Sequence, residues 1–390
     1  MGHSASKHLG IDAVNIRQGG GLTHLVKLLE AASPEDFGFA QVTVWCGQQT
    51  ARALPPASWM TVVSQPWMDA GLPRRVWGHQ WRLGRLISQS GCDVVFSPGG
   101  TLPKFVRRPQ VTMSQNLLPF EPQEAARFGK CHPMRWKMWL LRQAQARSFK
   151  RADGIIFLTQ YAQQVVERRL GPLSAATALV PHGVEPRFRS APRPQRQLAN
   201  CSIESPFKLL YVSILMPYKH QLAVMHAVAA LRRSGAPVEL TLVGQAWGRY
   251  GRRVLRLSRD LDPSGTFIRW RGAVAFDEIA ATYHQADAFI FASSCENLPN
   301  IMIEAMAAGL PIISSSMGPM PEVLGRRDAL FDPTDVDDVT RQLRRLLNDA
   351  TWRGELAATA WERAAAYSWQ LCAKQTMDFL AHVLHAKGGA

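Results

Sequence analysis

Short runs of apolar residues alternate along this chain with longer stretches whose apolar positions recur every three or four residues. In the first half the short runs at 42–46, 61–63, 93–96, 111–113, 154–158 and 179–180 predict strands. In the second half the runs at 207–212, 238–243, 266–271, 287–292, 311–314 and 330–331 do the same. The helical period marks 22–32, 134–147, 220–234, 335–348 and a long final stretch, 351–386. Strand alternating with helix is the pattern of parallel α/β units. The periodicity lapses once, between Pro186 and Pro206, in a polar passage that also holds Pro192 and Pro194. It reads as a linker. The expected architecture is α/β, with two doubly wound Rossmann-like domains facing a central cleft. Their bounds are 1–190 and 207–368, with the linker at 191–206 and a last helix at 369–390.

The most informative segment follows the run from Asp287 to Ala292, a nearly unbroken apolar strand of the kind buried on both faces of a parallel sheet. Glu296 falls in the loop after it, at the carboxyl end of the strand, where open α/β sheets hold their ligands. Pro299 suits the first position of a helix because it has no N–H to leave unsatisfied there. Gly309 and Pro311 end that helix. Glu304 stands alone among Ile301, Met302, Ile303, Ala305, Met306 and Ala307. A carboxylate buried in such company is costly without a polar partner, so one is expected. Between the two glutamates, the free N–H groups of the helix start offer an anion site.

Hydrophobic residues make up 46% of the 390 and charged residues 19%, which describes a folded globular chain and excludes a disordered one. The six cysteines are scattered without a Cys-x-x-Cys pair, as expected of reduced thiols in a cytoplasmic protein. No signal-peptide core and no run long enough to span a membrane is expected. The opening hexapeptide fits a myristoylation pattern short enough to arise by chance. The net charge of +15 sits almost wholly in residues 1–200, with 25 Lys and Arg against 11 Asp and Glu. That imbalance favours an anionic partner: a phosphorylated substrate, membrane headgroups or nucleic acid. The segment 134–147, with Arg74, Arg75, Trp77, Trp81 and Arg82, mixes aromatic and cationic groups. It reads equally as a surface for anionic headgroups and as core helices with solvated basic faces.

The block from Cys295 to Pro311, with glutamates eight positions apart, resembles the signature of the family-4 retaining glycosyltransferases. Other landmarks of that family are matched at 151–161, 180–185 and 213–219, so the resemblance covers most of the chain. It implies the GT-B fold, with the last helix crossing back to the first domain. It also implies transfer of a sugar from a nucleotide-sugar donor to a saccharide or lipid-linked saccharide acceptor, in cell-surface polysaccharide or glycolipid synthesis. By the same resemblance Glu304 accepts from the ribose hydroxyls of the donor. Glu296 serves the transferred sugar, and Lys219 the leaving diphosphate. Ser213, Gly244, Asn297, Leu298 and Asn300 line the donor, Val274 lies nearest the base, and the glycine turn at Gly20 and Gly21 approaches sugar and diphosphate. No carboxylate is placed as a nucleophile, which points to front-face substitution.

The chain also departs from the family pattern. Ile214 stands where the family carries an arginine, and Arg249 or another basic residue of the loop 244–253 is the expected replacement. Pro299 removes a backbone donor. Gln115 and Asn116 stand near a position where relatives carry histidine; they read as acceptor-side hydrogen-bonding groups or as loop structure. Asp335-Val336-Asp337 has the form of a metal–diphosphate motif, but acids at a helix start answer the helix dipole, so no essential metal and no cofactor is expected. An epimerase or phosphorylase of the same fold is the enzymatic alternative. A nucleic-acid-binding protein is the remote one, and no nucleic-acid motif is present. The expected location is cytoplasmic or peripheral on the cytoplasmic face of a membrane.

Overall fold

The computed structural model of the chain describes residues 7–129, 132–275 and 277–388; the opening hexapeptide and Cys131 lie outside them. The chain divides into two compact units. The first runs to Phe120, resumes over Pro133–Gly183 and takes back the chain from Ser368 onward; the second holds Glu121–His132 and Val184–Tyr367.

The first unit is built on seven parallel strands: β1 Lys7–Asp12, β2 Phe39–Trp45, β3 Met60–Val63, β4 Val94–Ser97, β5 Gln110–Met113, β6 Gly154–Phe157 and β7 Ala176–Leu179. Their order is β3-β2-β1-β4-β5-β6-β7. The second unit has six: β8 Phe207–Val212, β9 Val238–Val243, β10 Ile268–Trp270, β11 Ala288–Phe291, β12 Ile312–Ser315 and β13 Leu330–Phe331, in the order β10-β9-β8-β11-β12-β13. All pairings are parallel, and β4, β5, β6, β11 and β12 are buried along their whole length. In each sheet the strand order reverses once, between β1 and β4 and between β8 and β11. That reversal opens a crevice at the carboxyl ends of the strands.

Hydrophobic periodicity missed β1, an interior strand of the first sheet. Its sequence, Lys-His-Leu-Gly-Ile-Asp, has only two large apolar residues, and the ring of Trp45 takes the space a side chain at Gly10 would need. The predicted strand at 179–180 lies earlier, at β7. The helical stretch predicted at 351–386 is two helices, Ala350–Ala364 and Trp369–Gly388, parted where Ser368 Oγ accepts from the Leu371 N–H at 3.1 Å; the second begins where the last helix was expected. The second of these packs on the helix Gly20–Ala31 and on β4 and β6, within the first unit.

The linker expected at 191–206 is part of the second unit. Arg193 donates to the carbonyls of His284 (2.7 Å) and Ala286 (2.5 Å), and Arg196 to Pro206 O and Asp287, both at 3.3 Å. Arginine side chains on backbone carbonyls thus replace the apolar periodicity whose lapse suggested a linker. The chain leaves the first unit earlier, after Gly183, where a Cβ would stand 2.2 Å from the Trp369 nitrogen. Pro299 is the residue before the helix Asn300–Ala307 rather than its first member.

Gly309 ends that helix at φ +67°, and a Cβ there would meet Ser190 O at 2.6 Å and Pro192 N at 2.8 Å. Gly235 has the same handedness, φ +88°, with open space around it. Left-handed backbone costs a non-glycine residue about 1–3 kcal/mol. Gly309→Ala should therefore lose more stability in urea denaturation than Gly235→Ala, which carries the backbone strain alone.

Candidate functional site

Loops leaving β8 and β11 meet at the reversal of the second sheet. From β8 the chain turns through Pro217–Lys219 into the helix Gln221–Arg233. Lys219 is buried, its ammonium 5.3 Å from the ring centres of both Tyr218 and Phe291. From β11 the loop delivers Glu296, and the two side chains form an ion pair. The sequence assigned them to different parts of a ligand; the structure pairs them with each other. Desolvating two charges is tolerable only when they are paired, and here each supplies what the other needs.

Hydrogen bonds stitch these loops together. The Ser294 N–H donates to Tyr218 O at 2.8 Å, Ser293 Oγ reaches the same carbonyl at 3.4 Å, and the Tyr211 hydroxyl donates to Lys219 O. His220 Nε2 lies 2.9 Å from Ser294 Oγ, which in turn donates to Glu124. Burial, with Arg127 nearby, holds the His220 imidazole down at about 4. Burial first, then Glu121 and Glu296, pushes the Cys295 thiol well up, which makes it an unreactive core thiol.

Glu304 lies in the second turn of its helix, and the partner expected for it is Tyr283, whose hydroxyl donates at 2.9 Å. The same hydroxyl is 3.2 Å from Ile301 O. Burial pushes the Glu304 carboxyl up to about 7, against the downward pull of Tyr283 and Arg187. The two glutamates thus stand in different environments, Glu296 in an ion pair with Lys219 and Glu304 hydrogen-bonded to a phenol. The anion site expected at the start of this helix is weaker than the sequence suggested. The Asn300 N–H donates to Leu298 O at 2.9 Å and the Met302 N–H to Pro299 O at 2.9 Å, so both are used locally.

The remaining donor-side residues sit on neighbouring loops. Ser213 Oγ accepts from Gln221 Nε2 at 2.8 Å, and Gln221 Nε2 also reaches Ile214 O at 3.1 Å. Gly244, at φ +139°, packs so closely on the Ser213 carbonyl that a Cβ would lie 2.0 Å from it. Its N–H donates to Gly272 O at 2.7 Å, which ties in the loop carrying partly exposed Val274. Asn297 and Leu298 are buried and Asn300 is partly exposed. Arg249 is exposed on the first turn of the helix Gly248–Leu261, so 248–253 is helix rather than loop.

In the first unit Gly20 and Gly21 open the helix Gly20–Ala31, and Gln115 Oε1 lies 3.0 Å from where a Gly21 Cβ would be. Two residues called from distant parts of the sequence are thereby brought together. Asn116 is spent on its own loop, where its Oδ1 accepts from the Leu118 N–H at 3.2 Å. Sequence reasoning missed Asp12, buried at the end of β1. It lies 2.7 Å from His79 Nε2 and accepts from Ser97 Oγ at 3.1 Å. An acid closing a strand at a sheet reversal was the available signal, lost with β1 itself. It also missed the helix Pro122–Ala126 and the residues after it, which join the second unit. There Phe128 meets Trp247 edge-on at 5.7 Å and Tyr218 at 6.2 Å.

Among the described residues no group of three or more His, Cys, Asp or Glu is placed to hold a metal ion. Asp335 caps the helix Val336–Asn348 by accepting from the Asp337 and Asp338 N–H groups at 2.9 and 3.4 Å. No helix among the described residues is long and apolar enough to cross a membrane.

With this geometry in place, comparison with known proteins is direct. Residues 18–188 match the family described as Glycosyltransferase Family 4, and 206–349 match Glycosyl transferases group 1. The serotype-specific mannosyltransferase WbdA of Escherichia coli is 28% identical over 248 residues, 61% of this chain but only 30% of that longer protein. A GDP-mannose-dependent alpha-(1-6)-phosphatidylinositol monomannoside mannosyltransferase of Mycobacterium tuberculosis is 27% identical over 315 residues, 77% of this chain and 78% of the relative. Sucrose-phosphate synthase from Thermosynechococcus elongatus has the same fold, with a TM-score of 0.73 at 16% identity over 97% of this chain and all of that one. The two matched segments run from residue 18 to 349 with one short gap, and the two parallel sheets agree with them: the chain belongs to the GT-B glycosyltransferases.

Proposed function

We propose that the chain is a retaining glycosyltransferase. It moves a sugar from a nucleoside diphosphate sugar to a saccharide or lipid-linked saccharide acceptor, in the synthesis of cell-surface polysaccharide or glycolipid. The observation that carries this reading is the Lys219–Glu296 pair at the strand reversal of the second sheet, with Glu304 on the adjoining helix. An ammonium held there can turn to the leaving diphosphate, where neutralising developing charge is the largest catalytic effect available. Glu296, released from Lys219, then faces the sugar. Glu304 as a carboxylate can accept from both hydroxyls of a ribose. The names of the relatives favour a mannosyl donor.

The bond from the anomeric carbon to the diphosphate oxygen breaks, and the acceptor oxygen bonds to that carbon on the same face. The acceptor proton passes to the departing phosphate oxygen. No protein nucleophile enters this sequence, so configuration is kept without a covalent intermediate. Arg249 supplies the second cation where Ile214 leaves none, and Ser213, Gly244, Val274, Asn297, Leu298 and Asn300 shape the donor pocket. Within the first unit, Gly20, Gly21 and Gln115 offer groups that bind sugar. The reaction needs no metal, and an anionic membrane surface is a partner of the basic first half.

Transfer assays with GDP-mannose and UDP-sugars test the reading. Lys219→Ala and Glu304→Ala should each lose about 100-fold or more in turnover while staying folded, the scale of removing one charge-stabilising group. Arg249→Ala should raise the donor KM, and EDTA should leave the rate unchanged. Near-normal turnover in both Lys219→Ala and Glu304→Ala would sink the site assignment.

Glu304 also makes a prediction free of any substrate. Its carboxyl is held near 7 in the fold against 4.5 as the ordinary value. Because the folded value is raised, the fold gives up stability as pH rises from about 4.5 to 7. The full deficit, on the order of 3 kcal/mol, is present above that window. Glu304→Gln keeps an acceptor for Tyr283 and removes the titration. It should therefore be more stable than the natural chain at pH 8 and equal to it near pH 4.5, as read by urea denaturation, and it should bind donor nucleotide more weakly.

A further inference from the structure

An aromatic and basic patch on the first unit includes none of the residues placed in catalysis above. Trp77 and Trp81, on the helix Leu72–Trp81, are each 54% exposed, and Phe105 is 67% exposed. The rings of Trp81 and Phe105 touch, their centres 5.1 Å apart. The Lys104 ammonium lies 5.5 Å over Trp81 and the Arg82 guanidinium 4.9 Å over Trp77. The patch is held firmly. Gln80 Nε2 donates to Leu102 O at 3.3 Å, and the Lys104 carbonyl sits so close to Gly84 that a Cβ there would be 2.6 Å away.

The backbone at Phe105 is what turns this into a built surface. Its φ is +61°, one of two non-glycine residues among those described with positive φ, and the conformation is rare for a bulky side chain. The left-handed turn sends Val106 inward against the core around Leu83 and Ile87 and leaves the Phe105 ring in water. Strain held by well-packed neighbours, with an aromatic ring presented to solvent, marks a surface with a partner.

Charge says which partner. From residue 70 to 152 the sequence has 15 Lys and Arg and only three acids, Asp93, Glu121 and Glu124. Glu121 and Glu124 belong to the second unit, and Asp93 accepts from the His8 N–H at 2.8 Å, just ahead of β4. The patch therefore carries Arg82 over Trp77 and Lys104 over Trp81, with Arg74, Arg107 and Arg108 exposed on the same two segments and no acid at 70–92 or 94–120 of the sequence. Tryptophan and phenylalanine flanked by cations match the headgroup layer of an anionic bilayer, where rings enter the interface and cations meet phosphates. A nucleic acid would also meet the cations and stack bases on the rings, but the sequence carries no nucleic-acid-binding motif, and polyuridylate is therefore kept as a competing arm of the test.

We propose that Trp77, Trp81 and Phe105 form a membrane-docking wedge that enters the interface of an anionic bilayer, with Lys104, Arg82, Arg107 and Arg108 on the headgroups. The proposal sharpens the membrane partner of the preceding reading and rests on it only for purpose. Binding is therefore measured with neither donor nor acceptor present. The full chain is sedimented with phosphatidylglycerol vesicles, with phosphatidylcholine vesicles and with polyuridylate, and tryptophan emission is followed.

The natural chain should bind phosphatidylglycerol well ahead of phosphatidylcholine, with a blue shift in emission. The W77S/W81S/F105S variant should bind at least about tenfold more weakly, as expected when the inserted apolar area is lost. It should turn over a soluble acceptor at the natural rate, which also reports that it is folded. Undiminished vesicle binding by the triple variant would overturn the proposal. So would equal binding to the two lipids, preference for polyuridylate, or self-association that the variant abolishes without any vesicle binding. If the wedge fails while soluble-acceptor transfer persists, the glycosyltransferase reading stands. Absence of transfer with intact docking sinks that reading alone.

Discussion

Lys219 and Glu296 face each other across the point where the second sheet changes direction, and much of that unit is arranged so that they can. Two strands that are neighbours in the sheet, β8 and β11, lie 75 or more residues apart in sequence, as the 77-residue separation of the ion pair shows. A charge contributed by either loop alone would be buried without compensation, at a cost of several kcal/mol. The loops are accordingly fixed to each other through backbone and serine contacts, above all at the Tyr218 carbonyl. Tyr211 fixes the Lys219 carbonyl from beneath. A cation prepared in this way needs no reorganisation of its loop to meet a leaving group.

Glu304 is the counterpart in which the requirement is left half met. A single phenol does not replace the water a carboxylate loses on burial, and the group is accordingly poised near neutrality. An isolated domain optimised for stability would put a glutamine or a leucine there. A carboxylate kept at a destabilising position is the signature of a group whose compensation arrives with a ligand. On the proposed reading donor hydroxyls supply the missing hydrogen bonds, and the deficit in the free protein and an affinity for a diol would then have one cause.

The parts of the fold carried by apolar periodicity were legible in the sequence. Eleven of the thirteen strands lie close to where the hydrophobic runs put them, and the terminators of the Glu304 helix fall at Gly309 and Pro311. What was not legible is held by other means. β1 owes its burial to the strands on both sides and to the ring over Gly10. The passage 186–206 is held by arginines on carbonyls, contacts between residues some 90 positions apart. Among site residues, a motif could name Lys219, Glu296 and Glu304 but not that the first two pair. Nor could it show that Asn116 caps its own loop, or that amides of the helix start are already engaged. Those are properties of three-dimensional neighbours, and Pro299, which the sequence placed one position too far into the helix, is where the difference begins.

The charge asymmetry acquires a physical meaning only when the units are separated as the structure separates them. Counted along the sequence, the first 200 residues are simply basic. Counted by unit, Glu121 and Glu124 go to the second, where Glu124 accepts from Ser294 beside the Glu296 loop and pairs with Arg127 at 2.7 Å. The acids of this stretch are thus engaged in structure, and the segments 72–82 and 104–108, which carry Trp77, Trp81 and Phe105, hold cations and no acid. A surface of one sign attracts its partner over about one Debye length, ~8 Å at physiological ionic strength, whereas insertion of rings acts only on contact. The arrangement assigns approach to the arginines and lysines and retention to the aromatics. A left-handed Phe105 is tolerable on these terms, since its strain holds outward the ring on which retention depends.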